Sequence, residues 1–267
     1  MTGAADVAGE PGMTRERNSM GATGRDASPE LSVYERVLGG EVARLHPQLR
    51  RYFGSIPAGH EGRGRGVYSW AGPRHRILRP VFSLLAWRRI LFPEGGRDVP
   101  FTVTNTPARG GALSARREFA FPGITRVMED TMRVVRGADG TPRLFDGLGR
   151  RRGLEVELEL HVHEGGLRMR STRLALRMPL PIARRTARGR GRGKKVKGSG
   201  AEARARFLRV PLPRVVTMTL DERAHPYGDG RQCVDVRLRA PLLGDLFRYV
   251  GEFEYTIVPR SSPLEGP

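Results

Sequence analysis

Two histidines, His161 and His163, lie two residues apart in the stretch LEVELELHVH, behind Glu155, Glu157 and Glu159. On a β-strand alternate side chains share a face, so all five would line one side. An imidazole pair at that spacing can hold a metal or move protons. The three glutamates can supply acid–base carboxylates. Their neighbours favour plainer roles. A hairpin turn at Gly165-Gly166 places Arg170 opposite His161 and Arg168 opposite His163, and cations beside a site oppose a divalent metal. No metal and no cofactor is therefore expected. The same hairpin sets Arg177 against Glu155, an ordinary cross-strand charge pair of ~0.2–1 kcal/mol. Asp146, in FDGLG, reads as a turn residue first and a catalytic candidate second. Asp98, beside Arg97, is equally ambiguous.

Other chemistries lack their motifs. There is no G-x-S-x-G, and the single cysteine, Cys233, falls in a segment that alternates like a strand, so it reads as a packing thiol. One cysteine excludes an internal disulfide and implies a reducing, cytoplasmic setting. Gly62, Gly64 and Gly66 are separated by arginines with no strand before them, which does not make a dinucleotide-binding turn. The run GRGRGKK lacks the order of a phosphate-binding loop. No apolar run reaches the ~18–20 residues of a spanning helix. Residues 1–30, rich in Gly, Ala, Ser and charge, read as a disordered leader rather than a secretory signal.

The net charge of +19 is unevenly placed. Residues 183–209 hold eleven Lys and Arg against one acid, Glu202, and contain all three lysines of the chain. Elsewhere the cations are arginines, a usage typical of a GC-rich genome. Residues 183–206 read as a disordered Arg/Gly/Lys-rich insertion. Arg188, Arg190, Arg192, Lys194, Lys195 and Lys197 are its candidate contacts to nucleic acid or anionic lipid, weak and salt-sensitive. No aromatic residue lies in 184–206 to stack on bases, so a solvated loop is the plainer alternative.

Around these residues the sequence sets out a scaffold. Residues 31–54 read as helix, opened by a Ser32/Glu35 capping box and broken at Gly39-Gly40 and at His46-Pro47. Residues 80–92, PVFSLLAWRRILF, read as a second helix, ended by Pro93 and Gly95-Gly96 and apolar nearly all round. It is either buried against a sheet, a lid over a cavity, or a helix on an anionic membrane surface. Over 97–178 and 209–258 the period becomes two, giving about nine or ten strands joined mostly by short turns. The expected fold is mainly β (α+β), an antiparallel meander curled into a barrel or half-barrel. The N-terminal helices and the apolar helix pack on it or cap it, and 31–260 form one domain. In the hairpin, Val162 is predicted to face Met169. Continued unchanged, that register would set Leu158 against Arg173, on the wrong face. A β-bulge near residues 171–173 restores Leu158 to Leu174 and Val156 to Leu176.

Several blocks, GRDVPFTVTN, REFAFPG, HEGGLRMRS and APLLGDLFRYVGEFEY, with the opening YERVLGGEVARLHPQLRRYFG, resemble the bacterial domain of unknown function family 4166. That resemblance implies a bacterial domain without an established activity and no catalytic residues to carry over. With no catalytic constellation, the expected function is a non-catalytic module. It would bind a lipophilic small molecule in a cavity lined by residues such as Phe101, Val103, Phe119, Phe121, Tyr249 and Phe253. The alternatives are an enzyme acting on a lipid-like compound through His161, His163 or Asp146, and an accessory protein of nucleic acid or membranes working through the insertion.

Overall fold

A computed structural model describes residues 30–179, 207–213 and 215–260. The leader up to residue 29 and the basic insertion, with all six of its candidate contact residues, lie outside the described residues.

The chain opens with α1 (Val33–Leu38), a 3₁₀ turn over Gly39–Arg44 and α2 (Pro47–Phe53). The Ser32/Glu35 capping box forms, and the two breaks fall at the expected dipeptides. Eleven antiparallel strands follow among the described residues. They are β1 (His60–Pro73), β2 (Val99–Ala108), β3 (Ala112–Phe121), β4 (Ile124–Arg136), β5 (Pro142–Leu148) and β6 (Leu154–His163), then β7 (Gly166–Pro179), β8 (Phe207–Pro211), β9 (Thr217–Ala224), β10 (Arg231–Ala240) and β11 (Gly244–Pro259). Each pairs with its sequence neighbour, except that β7 pairs with β9 through residues 167–170 and with β8 through residues 175–179. The pairing of β1 with β11 closes a ten-stranded up-and-down barrel, with β8 continuing the row of β9. Most inward positions are apolar, and the outward ones are largely polar or charged, as Arg63 and Arg65 on β1 and Thr102 and Thr104 on β2 show. No described helix is long and apolar enough to cross a membrane.

The first strand was the hardest to foresee. Alternation predicts only a short strand near 67–70, yet β1 runs for 14 residues. Its inward positions are Gly62, Gly64 and Gly66, which leave room for neighbours. A Cβ on Gly62 would lie 1.5 Å from the Tyr255 hydroxyl, and one on Gly64 would lie 2.6 Å from Val103. Into that relief pack the aromatic residues of one wall. Tyr68 stacks on Phe101 with centroids 3.8 Å apart, and Phe119, Phe253 and Tyr249 close around them.

The two ends are closed differently. At one end α1 and α2 bury Tyr34, Leu49, Tyr52 and Phe53. They tie to the strand turns through His46 N–H to Gly165 O (2.9 Å), Gln48 to Gly230 O (2.6 Å) and Arg36 to Gly111 O (3.1 Å). Across the other end runs a strap, residues 74–98, containing α3 (Arg79–Trp87). The helix stops earlier than Pro93 and the two glycines suggest. Arg89 takes the left-handed conformation (φ 58°) that glycine usually fills, and Ile90 N–H bonds back to Leu85 O. The Arg89 guanidinium pairs with Glu129 of β4, fixing the turn to the barrel. Nor is α3 buried all round: Phe82 is its buried anchor, while Val81, Leu84 and Trp87 face solvent.

The β6–β7 hairpin also departs from expectation. The bulge is present, with Thr172 the extra residue between Ser171 and Arg173, but the partners on both sides of it are displaced by two, and Leu158, which now lies on the turn side of the bulge, faces Ser171 instead of Leu174. Val162 faces Leu167, His161 faces Arg168 and Val156 faces Leu174. The turn residues are Glu164 and Gly165, both at positive φ. Gly166 serves another purpose: a Cβ there would sit 2.8 Å from the Glu222 carbonyl of β9. Glu164 therefore adopts a backbone that costs an L-residue ~1–2 kcal/mol. A shift of two preserves the faces, so the alternation still points Val156 and Leu158 inward. Glu164→Asn should raise stability by roughly 0.5–1 kcal/mol in urea unfolding, because Asn-Gly suits this turn. Gly166→Ala should lower it.

Candidate functional site

The aromatic wall fills only part of the barrel. Beneath the strap lies a cavity of about 250 Å³. Its walls come from inward residues of β4–β7 and β9–β11, among them Val156, Leu158, Met169, Met218 and Leu238. The strap covers it with Leu85, Ile90 and Leu91.

Two arginines and two aspartates border this apolar space: Arg173, 75% exposed at its outer edge, and three that point into the barrel. Arg117 of β3 and Asp130 of β4 form a buried ion pair. Asp146 of β5 is 4% exposed. Burial, reinforced by the Asp130 carboxylate and opposed by Arg117, raises its pKa well above the usual carboxylate range. Burial therefore favours its protonated, uncharged form. The Thr131 N–H bonds to it, yet its Oδ1 has no hydrogen-bond partner among the described residues, and neither has the Oδ1 of Asp130. A buried polar atom without a partner costs on the order of 1–3 kcal/mol, so this spot favours a molecule that supplies one. Nearby, the Tyr34 hydroxyl of α1 hydrogen-bonds to Met132 Sδ at 3.2 Å.

The other sequence candidates are dispersed. His161 and His163 project outward, 59% and 74% exposed, beside Glu159 (3.3 Å) and Glu164 (3.8 Å). The structure does not bring them to Asp146. Glu157 meets Arg143 and Arg173 on the outer wall. There too Glu155 gathers Arg133, Arg177 and Arg209; Ala175, not Arg177, is its direct partner. Of the six residues named for a pocket, Tyr249 lines the cavity, whereas Phe101, Phe119, Phe121 and Phe253 pack chiefly among aromatic rings and Val103 lies over Gly64.

Arg117 and Asp130 escaped the sequence reading, though a signal existed. Arg117 shares parity with Ala115 and Phe119, and Asp130 with Met128 and Met132, so each is a charge on an inward face. A second cluster, His225, Cys233 and Glu252, brings three metal-ligand atoms within 4.8 Å on the outside of β10 and β11. Arg231 already pairs there with Glu252 and Asp229, and burial raises the Cys233 thiol pKa, so the arrangement favours the ion pairs over a metal.

The profile of a family described as "Domain of unknown function (DUF4166)" matches residues 45–253. The chain is also similar to the uncharacterized protein YndH of Bacillus subtilis (strain 168), 27% identical over 105 residues. That match covers 38% of this chain and 50% of the relative, so the chain spans half the length of the curated protein it matches.

Glu222 of β9 makes the interior's acid content measurable. Its carboxyl is buried, accepts a bond from Gln232 Nε2 at 3.1 Å, and is pushed up by burial to about 8 from an ordinary 4.5. The unfolded chain releases this proton near pH 4.5 and the folded chain holds it to about 8, so stability falls as pH rises through that window. Glu222→Gln should flatten the decline by up to about 1.4 kcal/mol per pH unit, read from urea unfolding between pH 5 and 8.

Proposed function

This chain belongs to the DUF4166 family, and we propose that it is a binding module for a small, largely apolar molecule held beneath the strap. The observation that carries this reading is a greasy cavity with a buried, half-unpartnered carboxyl at its edge. An engineered cavity of about 150 Å³ takes up benzene, so 250 Å³ suits a molecule of roughly ten non-hydrogen atoms. Protonated Asp146 can donate to a carbonyl or hydroxyl oxygen on that molecule. Apolar walls supply the affinity and one polar contact supplies the orientation, the usual division in such sites.

A catalytic version has one specific support. Of His161, His163 and Asp146, the residues named from sequence for an enzyme, Asp146 alone faces the cavity, and burial shifts its pKa upward, the direction a proton donor needs. Substrate would then be a carbonyl compound of the same size, with proton transfer next to the carbonyl.

Decan-2-one and decanol serve as probes. Either should raise the thermal midpoint in proportion to the logarithm of its concentration. Leu158→Trp, which fills the cavity, should abolish the shift. Asp146→Leu should weaken it about tenfold, the worth of one hydrogen bond, while Asp146→Asn, which keeps a donor, should weaken it less. Native mass spectrometry should show an adduct on gently extracted protein. A chain that emerges bare and ignores both probes would sink the proposal.

A further inference from the structure

The strap has a second face. While Leu85, Ile90 and Leu91 look into the cavity, Ile77, Val81, Leu84 and Trp87 look away from the barrel, 86%, 55%, 64% and 69% exposed. Steps of four, three and three make them one stripe. The β10–β11 turn extends the stripe with Leu242, 98% exposed, and Leu243. These are held together physically: His75 Nε2 lies 3.0 Å from Leu243 O, and Arg74 N–H bonds to Leu246 O. At the far side Arg150 N–H bonds to Arg88 O, joining the strap to the β5–β6 turn.

The rim of this apolar patch is cationic. Arg74, Arg76, Arg79, Arg88, Arg150 and Arg151 are all exposed around it. None forms an ion pair among the described residues; Arg74 and Arg88 lie over the rings of Trp70 and Trp87. The acids at this end are mostly engaged, Glu94 with Arg126, Glu129 with Arg89 and Asp245 with Arg239, leaving Asp98. β7 ends at Pro179 and β8 begins at Phe207 at this end. The sequence between them carries ten Lys and Arg but only Leu180, Ile182 and Val196 as large aliphatic residues.

We infer that this end of the barrel docks on an anionic lipid bilayer, with the outer face of α3 and Leu242-Leu243 entering the headgroup region. Exposed aliphatic side chains beside a tryptophan, ringed by arginines, are the composition of an interfacial helix. Arginines at the rim meet lipid phosphates. The inference deepens the proposed function by placing the cavity's lid at the source of an apolar ligand, and it rests on that reading only for the purpose of docking.

The test is co-sedimentation of the full chain with vesicles of phosphatidylcholine, alone or mixed with phosphatidylglycerol. Mixed vesicles should bind at least about tenfold more tightly, and salt should weaken the binding. Ile77→Ser, Val81→Ser, Leu84→Ser and Trp87→Ser combined should cost at least about tenfold while leaving circular dichroism and the thermal midpoint unchanged, since all four are exposed. In a Trp70→Phe background, Trp87 fluorescence should shift to the blue on mixed vesicles. It should still do so when Arg188, Arg190, Arg192, Lys194, Lys195 and Lys197 are all Gln. A four-serine variant that binds like the parent would overturn the inference by assigning binding to the insertion alone. So would sedimentation velocity showing that the parent dimerises through this face. Leu158→Trp should bind vesicles like the parent, so a failure of the cavity and a failure of the docking face give different results.

Discussion

Everything inside this barrel depends on one steric allowance, the missing side chains at Gly62, Gly64 and Gly66. A closed sheet has no edge and a fixed interior, so each inward residue competes with those opposite. Large aromatic residues on β2, β3 and β11 can converge because β1 offers them bare backbone. Gly251 on the partner strand works in the same way, since a Cβ there would lie 2.2 Å from the Val67 carbonyl. The two backbones thus meet closely where β1 carries its irregularity, between Tyr68 and Trp70. One wall is packed as a solid aromatic layer, and the remaining volume lies against the aliphatic wall of β4 to β10.

Within that volume the buried charges constrain one another. Arg117 is a permanent cation in a greasy space, and Asp130 neutralises it. Burial raises the carboxyl pKa of Asp146, with the Asp130 carboxylate adding to it, and burial alone does the same for Glu222 deeper in the barrel. The buried tyrosines are likewise held neutral, Tyr249 with its pKa pushed up to about 12. The cavity is thus apolar over most of its wall and polar at one edge. A packing fault in an apolar core has no reason to retain a carboxyl.

Most strands were legible because their side chains alternate, and the capping box and helix breaks were legible because they are local. Failures had specific physical causes. Gly62, Gly64 and Gly66 carry no side chain, so the longest inward stretch of β1 left no alternation to detect. Gly166 looked like a turn residue but serves a close approach to β9, which only the folded neighbour reveals. Arg89 holds a helix end where glycine is usual, and its support, Glu129, lies forty residues away. At the site, Asp146 was visible as a candidate but not as an interior residue. Its importance comes from Arg117 and Asp130, which converge on it only after three strands pair.

The insertion joins β7 to β8, and its flanking residues, Pro179 and Phe207, are direct cross-strand partners. The chain thus departs and returns at adjacent points on a finished wall, where Arg177 covers the Phe207 ring at 4.0 Å. Whatever lies between can lengthen, shrink or change composition without altering any strand register, because loop closure entropy grows only slowly with length. For an engineer it is a ready splice point, and for evolution it is a place where a lineage can append new sequence while the scaffold beneath stays the same.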